Sequence, residues 1–136
     1  MDDVKSPDRS RMALGGMLVF MGVLHVVVPK PFEKMIPKPL GAPRFWNLLA
    51  AAAEAGAGGL LLCADPELRR KGAWLALLTI VGVYPANIKM AIEAGPPTSV
   101  ESLGLWLRLP LQYPLARWAY RHTQLVDQSG SDTLAR

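Results

Sequence analysis

The stretch LLAAAAEAGAGGLLL, residues 48–62, decides how this chain is read. Apart from Glu54 it holds only Leu, Ala and Gly, and it belongs to an apolar run long enough to cross a bilayer. On insertion scales an acidic residue at the centre of such a helix costs roughly 2.5–3.5 kcal/mol. A carboxylate there has to face other helices and find a partner. The fold and the function both turn on what that partner is.

Outward from this stretch, four apolar runs stand out: Met12–Val28, Phe45–Ala64, Ala73–Ile92 and Leu103–Tyr120. Each is close to the ~17–25 residues that a helix needs to cross a ~30 Å hydrocarbon layer. Helices of a soluble bundle would each carry a polar stripe on the outward face. The first run, MALGGMLVFMGVLHVVV, has no charged or strongly polar residue before His25. The expected architecture is therefore all-α: an integral membrane four-helix transmembrane bundle, built as one domain from 136 residues. Residues 1–11 read as a loose polar cytoplasmic arm, 12–120 as the four-span domain and 121–136 as a flexible cytoplasmic tail. The first run is long for the apolar core of a signal peptide and continues into VVVPKPFEK with no small-x-small cleavage site, so it reads as an uncleaved signal-anchor span.

The net charge of +4 calls for no nucleic acid. With a cytoplasmic N-terminus, the inner segments hold Lys5, Arg9, Arg11, Arg69, Arg70, Lys71, Arg117, Arg121 and Arg136. The first outer loop holds Lys30, Lys34, Lys38 and Arg44, and the second outer loop holds no basic residue. Nine against four places both termini inside. Trp46 and Trp106 fall near the outer ends, Trp74 and Trp118 near the inner ends, as in an interfacial aromatic belt. Cys63 is the single cysteine, which disfavours thiol redox chemistry and suits a small packing residue.

The loop PKPFEKMIPKPLGAPR, residues 29–44, carries five prolines, which exclude a long helix. Phe32, Met35 and Ile36 share helical spacing between them. They could rest on the membrane surface, with Lys30, Lys34 and Lys38 towards headgroups. A stiff connector with an interfacial anchor is the favoured reading, and a lid or docking surface the other.

Depth brings the polar residues together. At 1.5 Å per residue, His25 and Lys89 lie about 4.5 Å below the outer end of their spans, Asn87 and Arg108 about 7.5 Å, and Glu54 and Gln112 about 13.5 Å. A polar pocket between the helices, nearer the outer face, is the expectation. Arg108 is the expected partner of Glu54, because a guanidinium reaches far and suits a carboxylate; Lys89 is the second candidate. An ion pair that fixes helix register is the favoured reading, and a site that binds protons or a ligand the other. Span two offers small residues at Ala51, Ala55 and Gly59 and at Ala52 and Gly56 for close helix approach. Pro85, Pro110 and Pro114 free backbone carbonyls that Asn87 and Gln112 can satisfy. No catalytic constellation and no metal-ligand spacing is visible around His25.

Four stretches occur together and in order: LHVVVPKPFEKMIPKPL closing the first run, AAAAEAGAGGLLL in the second, YPANIKMAI in the third and LWLRLPLQ opening the fourth. In this the chain resembles the DoxX-like proteins, small four-helix bacterial membrane proteins, over roughly residues 12–120. The resemblance implies a multi-pass protein of the bacterial plasma membrane. Some such proteins are subunits of quinone-linked oxidoreductases that act on sulfur compounds, and others associate with redox or oxidative-stress complexes. The positions that match the recurrent polar pattern are His25, Glu54, Asn87, Arg108 and Gln112. No catalytic motif carries over.

The expected function is thus a non-catalytic accessory subunit or scaffold of a membrane redox complex. Its partners would be the lipid bilayer, the subunits of that complex and further copies of itself. No cofactor is identifiable from ligands in the sequence; a quinone is the candidate occupant of the pocket. The alternative is a small proton-coupled transporter that uses Glu54, and a purely structural role for the ion pair is the third reading.

Overall fold

The computed structural model of the chain describes residues 5–134, with side chains over residues 8–124. The described residues form helices and turns, with no strand among them. Helix α1 is Lys5–Val27, α2 the short Pro29–Lys34, α3 Pro43–Leu62, α4 Pro66–Gly82, α5 Tyr84–Glu93 and α6 Val100–Leu134; a 3-10 turn, Lys38–Leu40, lies between α2 and α3. The prolines that forbid a long helix between α1 and α3 also start the helices. Each of α2 to α5 has a proline in its first turn, where the missing N–H is one that no helix would use. Asp65 caps α4, accepting from the Glu67 N–H at 2.7 Å and the Leu68 N–H at 3.2 Å.

The Ala/Gly segment becomes α3, and its small residues make it the centre of the molecule. It packs against α1 on one side and α4 on the other; α4 packs against α6, α5 also lies on α6, and α2 lies against α3. At three glycines the backbones approach so closely that a Cβ would collide. One on Gly22 would stand 2.7 Å from Ala55 Cβ and 2.8 Å from the Ala51 carbonyl oxygen. One on Gly58 would meet the Gly15 carbonyl oxygen at 2.5 Å, and one on Gly72 would meet Leu60 Cβ at 2.7 Å. The face of α3 towards α1 is therefore Ala51, Ala55 and Gly58. Gly59, expected in this stripe, faces open space, and Gly56 has only Leu75 at 3.9 Å.

The buried apolar core lies nearer the arginine-rich end, where Leu14, Leu18, Ala57, Leu61, Ala73, Ala76, Ile80 and Ala119 meet. Large apolar side chains point outward instead: Phe20 is 62% exposed, Leu78 65% and Leu111 58%. Their number exceeds what a water-facing surface carries and suits contact with lipid. Among the described residues, three helical stretches are long and apolar enough to span a membrane: Asp8–Val27, Pro43–Leu62 and Pro66–Glu93. The third contains both α4 and α5, broken at Val83 just before Pro85. The fourth expected span, Leu103–Tyr120, is helical but is not one of the three. It holds Arg108, Gln112, Arg117, Pro110 and Pro114, which dilute its hydropathy.

Within the described residues, two segments read as loose are helical; residues 1–4 and 135–136 of these segments lie outside the described residues. The expected arm is helical from Lys5 onward, and the expected tail continues α6 to Leu134. Side-chain contacts tie Asp8–Arg11 and Trp118–His122 to their neighbours. Arg11 pairs with Asp8 at 3.0 Å and also donates to the Leu61 carbonyl, while Arg69 Nε donates to the Cys63 carbonyl at 2.7 Å. The end of α3 has no basic residue of its own, so its orphan carbonyls are satisfied from α1 and α4. On the opposite helix, His122 and Thr123 are buried. The Trp118 indole N–H donates to Ser10 Oγ at 2.8 Å, and Ser10 Oγ lies 3.3 Å from His122 Nε2, which joins α6 to α1.

Candidate functional site

The close approach at Gly22 sets up the site. His25 follows one helical turn later on α1, and Asn47, Ala51 and Glu54 recur at i, i+4 and i+7 on the facing side of α3. His25 therefore sits between Asn47 and Glu54. Its Nδ1 is 2.6 Å from Asn47 Oδ1, and its Nε2 is 3.5 Å from Glu54 Oε2. Asn47 is 2% exposed, and its Nδ2 donates to the His25 carbonyl oxygen at 2.8 Å. The Phe32 ring, from α2, stacks on the imidazole at 3.8 Å between centroids with 29° between planes. Glu54 Oε2 is buried and has no hydrogen-bond partner among the described residues.

Glu54 is thus paired with His25 and not with Arg108 as expected from depth. Arg108 instead directs Nη1 to Met35 Sδ at 3.0 Å, a contact from α6 to the segment after α2. Depth counting could not see that α1 approaches α3 at backbone contact while α6 packs on α4.

Asn87 and Gln112 form a second polar node between α5, α4 and α6. Asn87 Nδ2 donates to Gln112 Oε1 at 2.8 Å, and Gln112 Nε2 donates to the Ile80 carbonyl, one turn before the break ahead of Pro85. Both functions of the Gln112 amide are used, and the residue is buried. An apolar cleft of about 210 Å3 opens beside this node, lined by Ile80, Val81, Tyr84, Gln112, Tyr113 and Ala116. Lys89 belongs to neither node: it is exposed and pairs with Glu93 at 3.7 Å along its own helix.

The single pocket expected from the sequence is therefore two nodes, with Arg108 reaching the edge of the first. Two participants in that first node escaped the sequence reading. Asn47 lies only two residues into the second apolar run, where an amide looks interfacial; its shared face with Glu54, seven residues on, was the available signal. Phe32 and Met35 were expected to rest on the membrane surface, but Phe32 lies on His25 and Met35 on Arg108. They cover polar groups of α1 and α6.

Chemically, the first node offers an acid, a base and an amide that orients the base. Among the described residues no three His, Cys, Asp or Glu side chains gather to hold a metal ion. No curated protein and no solved structure matches the chain. A family match covers residues 14–123, which takes in both nodes, and the chain belongs to that family, described as Domain of unknown function (DUF8561).

Proposed function

We propose that this chain is a DoxX-like four-span protein of the bacterial plasma membrane and a non-catalytic subunit or scaffold of a quinone-linked redox complex. In this reading Leu103–Tyr120 is the fourth span, both termini are cytoplasmic and the proline-rich end faces outward. The observation that carries the functional reading is the His25–Asn47–Glu54 cluster beneath Phe32, with Arg108 nearby, inside a scaffold whose outer surface is apolar. A buried acid and base beside an aromatic ring suit a ligand with a polar, protonatable head and an apolar tail. The separate cleft at Tyr84 and Tyr113, beside the Asn87–Gln112 node, is room of the kind that an acyl chain takes. The reading is tested by native mass spectrometry of protein extracted gently from its own membrane. A bound prenyl quinone or a partner subunit is expected, and a consistently bare monomer or homodimer overturns it.

One observation favours proton-coupled transport as the second reading. An arginine partner would hold Glu54 as a carboxylate, but its 3.5 Å partner is a histidine, which can itself gain or lose a proton. Proton-driven uptake in proteoliposomes that disappears in Glu54→Gln would establish this reading; uptake that survives the substitution would remove Glu54 from it.

A further inference from the structure

Asn47 determines where the proton sits on His25. Its Nδ2 is committed to the His25 carbonyl oxygen, which can only accept, so its Oδ1 is the atom that faces His25 Nδ1 at 2.6 Å. An acceptor so close requires a hydrogen on Nδ1. The remaining ring nitrogen, Nε2, is then either a bare lone pair or a second N–H, and it faces a buried Glu54 oxygen with no hydrogen-bond partner among the described residues. Phe32 covers one face of the ring.

We propose that His25 Nε2 and Glu54 Oε2 hold one proton between them, forming a single-proton site whose imidazole tautomer is set by Asn47. Two arrangements would give both atoms a partner. In one, an imidazolium Nε2–H points at a carboxylate. In the other, a carboxylic acid O–H donates to the neutral Nε2. Passing from the first to the second breaks the N–H bond, forms the O–H bond and returns the electron pair to Nε2, so both charges vanish together. Neither arrangement carries net charge. Removing the proton sets a carboxylate against a lone pair inside an apolar segment, and adding a second leaves an unpaired cation there; both states are costly in a membrane. A shortening of a few tenths of an ångström would bring the 3.5 Å separation to an ordinary hydrogen bond.

The surrounding charges leave this site to the pair. From α2, Glu33 is held by Arg44 of α3 at 3.9 Å, and Lys30 and Lys34 are exposed. From α6, Arg108 is anchored on Met35. On α5, Lys89 is paired with Glu93. The pair is thus a site for one proton, held between the protein's own groups. This goes beyond the quinone reading and does not depend on it, because the proton belongs to the empty protein.

The test is 15N NMR of the full-length, histidine-labelled protein in lipid bilayers between about pH 6 and 8, without ligand. His122→Asn identifies the signals of the other histidine. The expected result is a protonated His25 Nδ1 throughout, with an Nε2 resonance that moves on Glu54→Gln while Nδ1 keeps its hydrogen. Asn47→Leu should mix the two ring tautomers; Glu54→Gln, which keeps the side-chain shape, carries the test should the Asn47 variant not fold. A bare Nδ1 in the wild-type protein, or an Nε2 resonance indifferent to Glu54→Gln, overturns the proposal. Either outcome leaves the search for a bound quinone to be decided separately by mass spectrometry.

Discussion

The two polar nodes use similar side chains to opposite ends. At Gln112 every polar atom of the amide is engaged: its nitrogen serves the Ile80 carbonyl and its oxygen takes the Asn87 amide. At Glu54 one buried carboxyl oxygen is left without a hydrogen bond and faces a histidine that can carry a proton. The Asn87–Gln112 node repairs a helix that breaks before Pro85, which is a structural task with a closed solution. The His25–Asn47–Glu54 node stays open at one atom. Satisfied networks rigidify, whereas an unsatisfied buried group in an otherwise well-packed protein marks a site kept for another purpose.

The largest expected effect comes from separating the helices that make the His25–Asn47–Glu54 node. Gly22→Leu would drive a side chain into Ala51 and Ala55 and should cost roughly 3 kcal/mol or more. Unfolding in detergent measures it; the His25 signals should be lost even where folded protein survives, while the Asn87–Gln112 node keeps its contacts. Wild-type-like stability would mean that α1 and α3 do not meet this closely.

Gln112→Leu comes next. It strips the Ile80 carbonyl and Asn87 of their partner and should cost about 1–2 kcal/mol, the upper range for polar contacts between membrane helices. The same unfolding assay reads it, and the His25 resonances should not move. If they do, the two nodes are coupled and the division drawn between them fails.

Glu54→Gln should behave in the opposite way. The amide can donate to a neutral His25 Nε2, so no buried charge is stranded and stability should stay within about 1 kcal/mol of wild type. One titratable proton per chain disappears with it. A loss of several kcal/mol would return Glu54 to the role of a structural ion pair.

The smallest effect lies at the arginine-rich end and serves as a control. Burial, and then the Arg11 charge, hold His122 below the ordinary histidine value of 6.5. Ser10 accepts the Trp118 N–H and can give its own proton to His122 Nε2, which suits the neutral ring. Because the folded state binds this proton less readily than the unfolded state, stability is intact above about pH 6.5 and falls as pH drops below it. His122→Asn should flatten that dependence in an equilibrium unfolding series. A pH profile unchanged by the substitution would assign the dependence to another group.

Much of the helical organisation was legible because it rests on local rules. Prolines at 29, 43, 66 and 85 mark helix starts, the Asp65-Pro66 pair marks a cap, and the apolar runs mark stretches fit for lipid. That His25, Glu54, Asn87 and Gln112 are polar residues within apolar helical runs was legible for the same reason. Their partners were not. Depth along separate helices says which residues share a level and nothing about which helices are neighbours, so Arg108 looked like the match for Glu54.

Composition and spacing were thus sufficient for an all-helical chain with membrane-length apolar segments and a carboxylate in need of a partner, because hydropathy and backbone hydrogen bonding act within a segment. Helix adjacency settled the rest. Gly22 and Gly58 let α1 and α3 touch backbone to backbone, which delivers His25 to Glu54 and Asn47 to His25. Those pairings come from side chains more than twenty positions apart meeting across an interface, and a contact of that kind is made by packing, which no single segment encodes.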